Sequence, residues 1–161
     1  MKSKIFLQVN IFCYLVIAAF LASAVVTSLS SGHPWAITCY NCSSCSRSCA
    51  LGINPSGFTL SAIGNNPQMY LAAANIRLRL GEAAERDPDM IVTIRGKENM
   101  RAGQALADGI SKDAEVMTFR MKAKDAAHYC LLCAACEKNC PVKLPIMDII
   151  EDLRDDGKFN R

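Results

Sequence analysis

The chain has 161 residues, a formal net charge of +3 and 51% hydrophobic residues, enough for one modest domain and an apolar anchor. The near-neutral balance and the 7% aromatic content exclude the basic stripe and stacking platform of a nucleic-acid-binding protein. Nine cysteines, an odd number, leave a thiol over in any complete disulfide framework.

The first predicted element is apolar. Ile5 to Leu29 carries no charged residue. As a helix these 25 residues span ~37 Å at ~1.5 Å per residue, enough to cross a hydrocarbon core ~30 Å thick with some tilt. Pro34 ends the segment and Trp35 falls at interface depth. Lys2, Lys4 and Ala22-Ser23-Ala24 also fit a cleavable secretory signal, but the run exceeds the ~7–15 residues of a signal core. A transmembrane anchor with its linker is therefore expected over residues 1–34. Cys13 reads as a small apolar filler. The small residues Ala18, Ala19, Ala22, Ser23 and Ala24 allow close approach by another membrane helix.

Residues 35–154 read as one domain, and 155–161 as a polar tail. Within the domain, Ser56 to Ile63 suits one or two helical turns. Residues 68–86 are rich in helix formers, and Asp87-Pro88 ends that helix. Met90 to Ile94 is ambiguous between strand and helix. Residues 98–109 and 113–129 read as two further helices. A last helix starts at Pro145 and runs through Arg154, with Ile146, Ile149, Ile150 and Leu153 on its apolar face. No alternating strands are evident, so the expected class is mainly α.

Eight of the cysteines form two constellations. Cys39, Cys42, Cys45 and Cys49 follow C-x2-C-x2-C-x3-C, and so do Cys130, Cys133, Cys136 and Cys140, the latter followed by Pro141. This is the bacterial [4Fe–4S]-binding run, present twice. Three thiolates at i, i+3 and i+6 wrap three irons of a cubane as the backbone turns. The fourth cysteine has begun to leave that loop, and in two-cluster ferredoxins it ligates the other cluster. Two [4Fe–4S] clusters with crossed ligands are predicted. Cluster 1 uses Cys39, Cys42, Cys45 and Cys140; cluster 2 uses Cys130, Cys133, Cys136 and Cys49. Structural zinc, which calls for cysteine pairs divided by a longer spacer, and disulfides fit these spacings poorly. The polar residues of the first run, Tyr40, Asn41, Ser43, Ser44, Ser46 and Arg47, contrast with Leu131, Leu132, Ala134 and Ala135 in the second. Cluster 1 is accordingly expected to have the higher potential.

The stretches CYNCSSCSRSC and YCLLCAACEKNCPVKLPIMDIIEDLR resemble the small two-cluster subunit of heterodisulfide reductase and its relatives, α-helical ferredoxins with two cubanes. The same module occurs in the iron–sulfur subunits of succinate dehydrogenase and of anaerobic glycerol-3-phosphate dehydrogenase. The resemblance implies a mainly α, ferredoxin-like domain that passes electrons between partner proteins and performs no bond chemistry. Three features depart from that family. Ala50 stands where a proline is expected. About 80 residues separate Cys49 from Cys130, which makes the segment near 98–109 a candidate insertion. The N-terminal membrane helix is absent from the soluble members.

The expected function is an electron-transfer subunit of a membrane oxidoreductase complex. It would link a catalytic flavin or iron–sulfur subunit to a membrane cytochrome or quinone subunit. A stand-alone membrane-tethered ferredoxin and an iron–sulfur redox sensor are the alternatives. Lys2 and Lys4 favour a cytoplasmic N-terminus, whereas reducing conditions for the clusters favour a cluster domain on the cytoplasmic face; the latter is the expectation adopted. His33 reads as a solvated loop histidine, or else as a haem or quinone contact. His128 and Tyr129 are candidates for hydrogen bonds to cluster sulfur. Arg77, Arg79, Lys122 and Lys124 form either a docking face or a solvated surface. No catalytic residue is evident.

Overall fold

The computed structural model describes residues 2–94 and 97–159. Helix α1 spans Lys2–Ser30. Its segment Phe6–Ser30 has a mean hydropathy of 2.4, and the most apolar part is not buried against the rest of the chain. By length and composition it can cross a membrane. A single 3₁₀ turn, Pro34–Thr38, leads into the first cysteine run. The short helices α2 (Ser44–Arg47) and α3 (Pro55–Ile63) follow. Proline in the first turn of α3 fits the helix start, where its missing N–H goes unneeded. Gly57 lets α3 lie directly on the neighbouring chain: a Cβ there would come within 2.6 Å of Leu71 Cβ.

The mainly α class expected from the sequence is corrected here. The structure is about half helical and contains a small antiparallel sheet. Its strands are β1 (Tyr70–Ala72), β2 (Arg77–Arg79), β3 (Ile91–Ile94), β4 (Lys97–Arg101) and β5 (Glu115–Lys122). The order is β1-β5-β3-β4, with β2 also paired to β5. β1 and β2 lie along the same edge of β5, opposite residues 120–122 and 115–117 respectively.

The expected helices at Ser56 to Ile63 and after Pro145 form, as α3 and later in the chain at Ile146–Asp156, but each of the three between them resolves into strand followed by short helix. The 68–86 segment becomes β1, β2 and α4 (Leu80–Arg86). The 98–109 segment becomes β4 and α5 (Ala102–Ala107), and the 113–129 segment becomes β5 and α6 (Ala123–Tyr129). Three of these helices start the same way. Arg79, Arg101 and Lys122 end a strand in extended conformation and serve as N-caps with no side-chain capping bond. The strands carry a period of two that short length conceals: Leu78 is buried between exposed Arg77 and Arg79. In β5, Val116 and Thr118 point inward, then a register shift against β3 moves the next buried residue to Met121. That irregularity breaks the alternation a sequence reading relies on.

The whole sheet lies between the two cysteine runs in sequence. After the second run come α7 (Ala135–Lys138) and α8 (Ile146–Asp156). α8 buries Ile146, Ile149, Ile150 and Leu153 and ends at Gly157 in the left-handed region, φ 62°, the usual helix stop. It packs on α3, α6 and α7. One continuous core joins α3, α8, α6 and the inner face of the sheet.

Candidate metal centre

The two cysteine runs fold alike. In the first, Asn41 and Ser43 have positive φ (52° and 62°); in the second, Leu132 and Ala134 do (51° and 55°). These are the same two places in each motif. The left-handed residues turn the chain so that three cysteines face one centre, and a single helical turn, α2 or α7, then carries the fourth away. Left-handed backbone is costly for a residue such as leucine, so its repetition marks a conformation imposed by the site. α2 packs against α7, and this contact places the two runs side by side.

Two cavities result. One is lined by Cys39, Cys42, Cys45 and Cys140, with Tyr40, Asn41 and Ser56 in its wall. The other is lined by Cys130, Cys133, Cys136 and Cys49, with Ile53, Phe58, Met147 and Ile150 in its wall. Cys49 therefore stands with the second run and Cys140 with the first. No carboxylate lines either cavity among the described residues. α8 serves both: Ile146 reaches the first and Met147 and Ile150 the second. Cys13 is exposed on α1, apart from both.

The thiols differ in surroundings. Cys45 and Cys140 are buried, while Cys42 and Cys133 are exposed. Burial pushes the Cys136 thiol up to about 11, and it raises Cys130 and Cys45 in the same direction. Hydrogen bonds from the side chain and backbone of Ser44 hold the Cys42 thiol below its ordinary value. Backbone groups also support the other sulfurs: Ser56 for Cys45, Leu132 for Cys130 and Glu137 for Cys136. The first set gains hydroxyl groups as well, with Ser44 and Tyr40 at Cys42, while the Ser46 hydroxyl donates to Asn54 Oδ1.

The donor set fits an iron–sulfur cluster. Each cavity offers four sulfurs in a mostly apolar wall, and thiolates are the ligands such clusters take. The sulfurs surround a volume and do not meet at a point: among the described residues no three His, Cys, Asp or Glu side chains are placed to hold one metal ion. Zinc, with Zn–S bonds of ~2.3 Å, would need that convergence.

Other residues singled out in the sequence take structural places. His33 is buried and not solvated; its Nε2 lies 2.9 Å from Asp152 Oδ2, and its ring meets Trp35 and Phe159 edge-on. Tyr129 donates its hydroxyl to Glu82 at 3.1 Å and lies under Arg86, so that hydroxyl is turned to α4. His128 is exposed. Arg77 and Arg79 pair with Glu115 and Asp113 across the surface, and Lys122 pairs with buried Asp87. The sequence reading missed the left-handed pairs and the α8 wall. Aligning the two motifs on each other would have exposed the former, because Asn41 and Ser43 tolerate that conformation and thereby flag positions 132 and 134.

Residues 35–144 match the 4Fe-4S dicluster domain family. The match covers more than half of the chain, and the chain belongs to this family: it is an iron–sulfur protein whose domain is suited to electron transfer. Neither the comparison with curated proteins nor that with solved structures finds a match.

Proposed function

We propose that the chain is the electron-transfer subunit of a membrane-bound oxidoreductase complex, similar to the small two-cluster subunit of heterodisulfide reductase. It carries two [4Fe–4S] clusters and passes single electrons between a catalytic flavin or iron–sulfur subunit and a quinone or cytochrome partner in the membrane. Cys39, Cys42, Cys45 and Cys140 hold one cluster, and Cys130, Cys133, Cys136 and Cys49 hold the other. The clusters supply one-electron chemistry when bound. The chain supplies the thiolates, the hydrogen bonds that tune them and the apolar walls that exclude water. The cluster domain lies on the cytoplasmic face, where reducing conditions preserve free thiols.

One observation carries the reading: two four-cysteine cavities, walled by the same helix α8, directly follow a helix long and apolar enough to span a bilayer. Cys39 is only five residues past Pro34, which starts the turn after α1. That short connection supports a membrane end at the first cavity and leaves the second for a soluble subunit.

The test is mild detergent purification of the full chain under anaerobic conditions. The expected result is about eight iron and eight sulfide per chain, the stoichiometry of two cubanes. Stable co-purifying subunits should accompany it, one bearing a flavin or further clusters and one a membrane protein. A loaded chain that emerges alone points to a tethered ferredoxin, and one released from membranes without detergent contradicts the anchor.

A further inference from the structure

Asp125 is a buried ionisable group that the cysteine sites do not use. It sits in the first turn of α6, is 8% exposed, and its Oδ2 has no hydrogen-bond partner among the described residues. An ionised carboxylate is costly in that setting and a protonated one is not. Three of its charged neighbours are paired with other groups. Asp87, 2% exposed, accepts from Lys122 Nζ at 3.0 Å and from the Tyr70 hydroxyl at 2.6 Å. Arg86 pairs with Glu82 and covers the Tyr129 ring.

The groups that act on Asp125 come from several elements: Lys124 from α6, Lys122 from the end of β5, and Arg86 and Asp87 from the end of α4. Tyr70 of β1 and Tyr129 of α6 face it as phenols. α3, which also packs on α6, carries no titratable side chain. α8 turns its isoleucines and Leu153 inward; Asp148, Glu151, Arg154, Asp155 and Asp156 are exposed and Asp152 meets His33. Asp125 is thus left with an unpartnered oxygen inside the fold, while the second buried carboxylate, Asp87, already holds Lys122.

The same helix ends at Cys130, the first ligand of the second set. Asp125 precedes it by five residues, ~7.5 Å along the axis at ~1.5 Å per residue. One added negative charge at ~10 Å, with an effective dielectric of ~20, raises proton affinity by roughly tenfold.

We propose that Asp125 is a redox-linked proton site: it takes one proton from solvent when a one-electron donor reduces the cluster held by the Cys130 set, and returns that proton on reoxidation. The proposal rests on the two-cluster reading above. Burial of Asp125 raises its proton affinity already, and the further increase on reduction acts in the same direction. An electron entering this cluster is then partly neutralised by a proton.

The experiment is a mediated redox titration of the full-length, cluster-loaded chain in detergent, with dithionite as donor, repeated across pH. The second cluster's signal is identified with a Cys133→Ser variant. The expected result is a midpoint potential that falls as pH rises through the Asp125 titration, with a slope of at most roughly 30 mV per pH unit and a total fall of about 59 mV, which is what a tenfold change in proton affinity allows for one electron. D125N, and the smaller D125S, should flatten that slope. D89N, which removes an exposed acid of the same charge, should retain it. The reduced-minus-oxidised infrared spectrum of the unaltered chain should gain a protonated carboxyl band that D125N lacks. A loaded chain with a pH-independent potential, or a slope that survives in D125N, overturns the proposal. A chain that binds no iron and sulfide at all overturns the cluster reading, and this proposal with it.

Discussion

His33 Nε2 lies 2.9 Å from Asp152 Oδ2, and this contact joins the segment after α1 to the last helix of the domain. It spans 119 residues of sequence. Around it, Ser28 Oγ donates to the His33 carbonyl, and Trp35 and Phe159 meet the imidazole edge-on. α8 also walls both cysteine cavities through Ile146, Met147 and Ile150. One helix therefore touches the segment that follows the membrane-length helix and walls both cysteine cavities.

Replacing His33 should loosen that joint. H33A leaves a partly buried carboxylate without this partner and removes two aromatic contacts, at a cost of about 2–3 kcal/mol. Chemical denaturation of the detergent-solubilised chain should show the loss. Spin-label distances between α1 and α8 should broaden, while the cluster potentials stay within experimental error. Unchanged distances in H33A would remove the joint from the account.

The close packing of α3 is open to a similar check. G57A places a Cβ within 2.6 Å of Leu71 Cβ, and both belong to packed elements. Overpacking of this kind costs about 1–3 kcal/mol. Because Ser56 borders the first cavity and Pro55 and Phe58 border the second, the variant should lose both clusters faster on exposure to a chelator. The readout is the decay of visible absorbance with time.

Hydrogen-bond donors distinguish the two sites. Ser44 and Tyr40 set hydroxyls beside Cys42 of the first set, and the second has only backbone donors among those acting on Cys130 and Cys136. Donors to sulfur stabilise the reduced, more negative cluster. The cluster on Cys39, Cys42, Cys45 and Cys140 should have the higher potential. S44A should lower that potential by on the order of 20–60 mV, the equivalent of one modest hydrogen bond, and leave the other unchanged. Redox titration with each signal assigned by Cys→Ser variants decides the order.

Asp125 also makes stability depend on pH. Burial raises its pKa above the usual carboxylate value. The folded chain therefore binds this proton more tightly than the unfolded chain, and stability falls as pH rises from the unfolded pKa through the folded one. Above the folded pKa the full cost of the buried charge is present. D125N should be more stable than the unaltered chain at neutral pH, by on the order of 1 kcal/mol. That advantage should shrink as pH falls toward the usual aspartate pKa of ~3.9. Denaturant titrations of both chains across this range give the comparison.

What was legible in the sequence was chemistry with fixed spacing. The two C-x2-C-x2-C-x3-C runs, the apolar N-terminal stretch and the i, i+3, i+4, i+7 pattern of Ile146, Ile149, Ile150 and Leu153 each carry a period that local geometry imposes. The sheet was not legible, for a physical reason. Its strands run from three to eight residues, and the strand around Leu78 shows only one buried position. Alanine-rich flanks such as Leu71 to Ala74 favour a helix locally, and pairing with β5 overrides that preference. His33 was misread because its partner, Asp152, lies at the far end of the chain. Leu132 and Ala134 gave no composition signal for left-handed backbone, since the conformation comes from the site they serve.

The central claim is the exchange of the last cysteine between motifs, and single Cys→Ser variants test it most directly. Electron paramagnetic resonance of the reduced, full-length chain should show that C49S perturbs the same signal as C130S, and that C140S perturbs the same signal as C39S. If C49S instead alters the signal affected by C39S and leaves that of C130S intact, each motif holds its own cluster and the crossed arrangement is wrong.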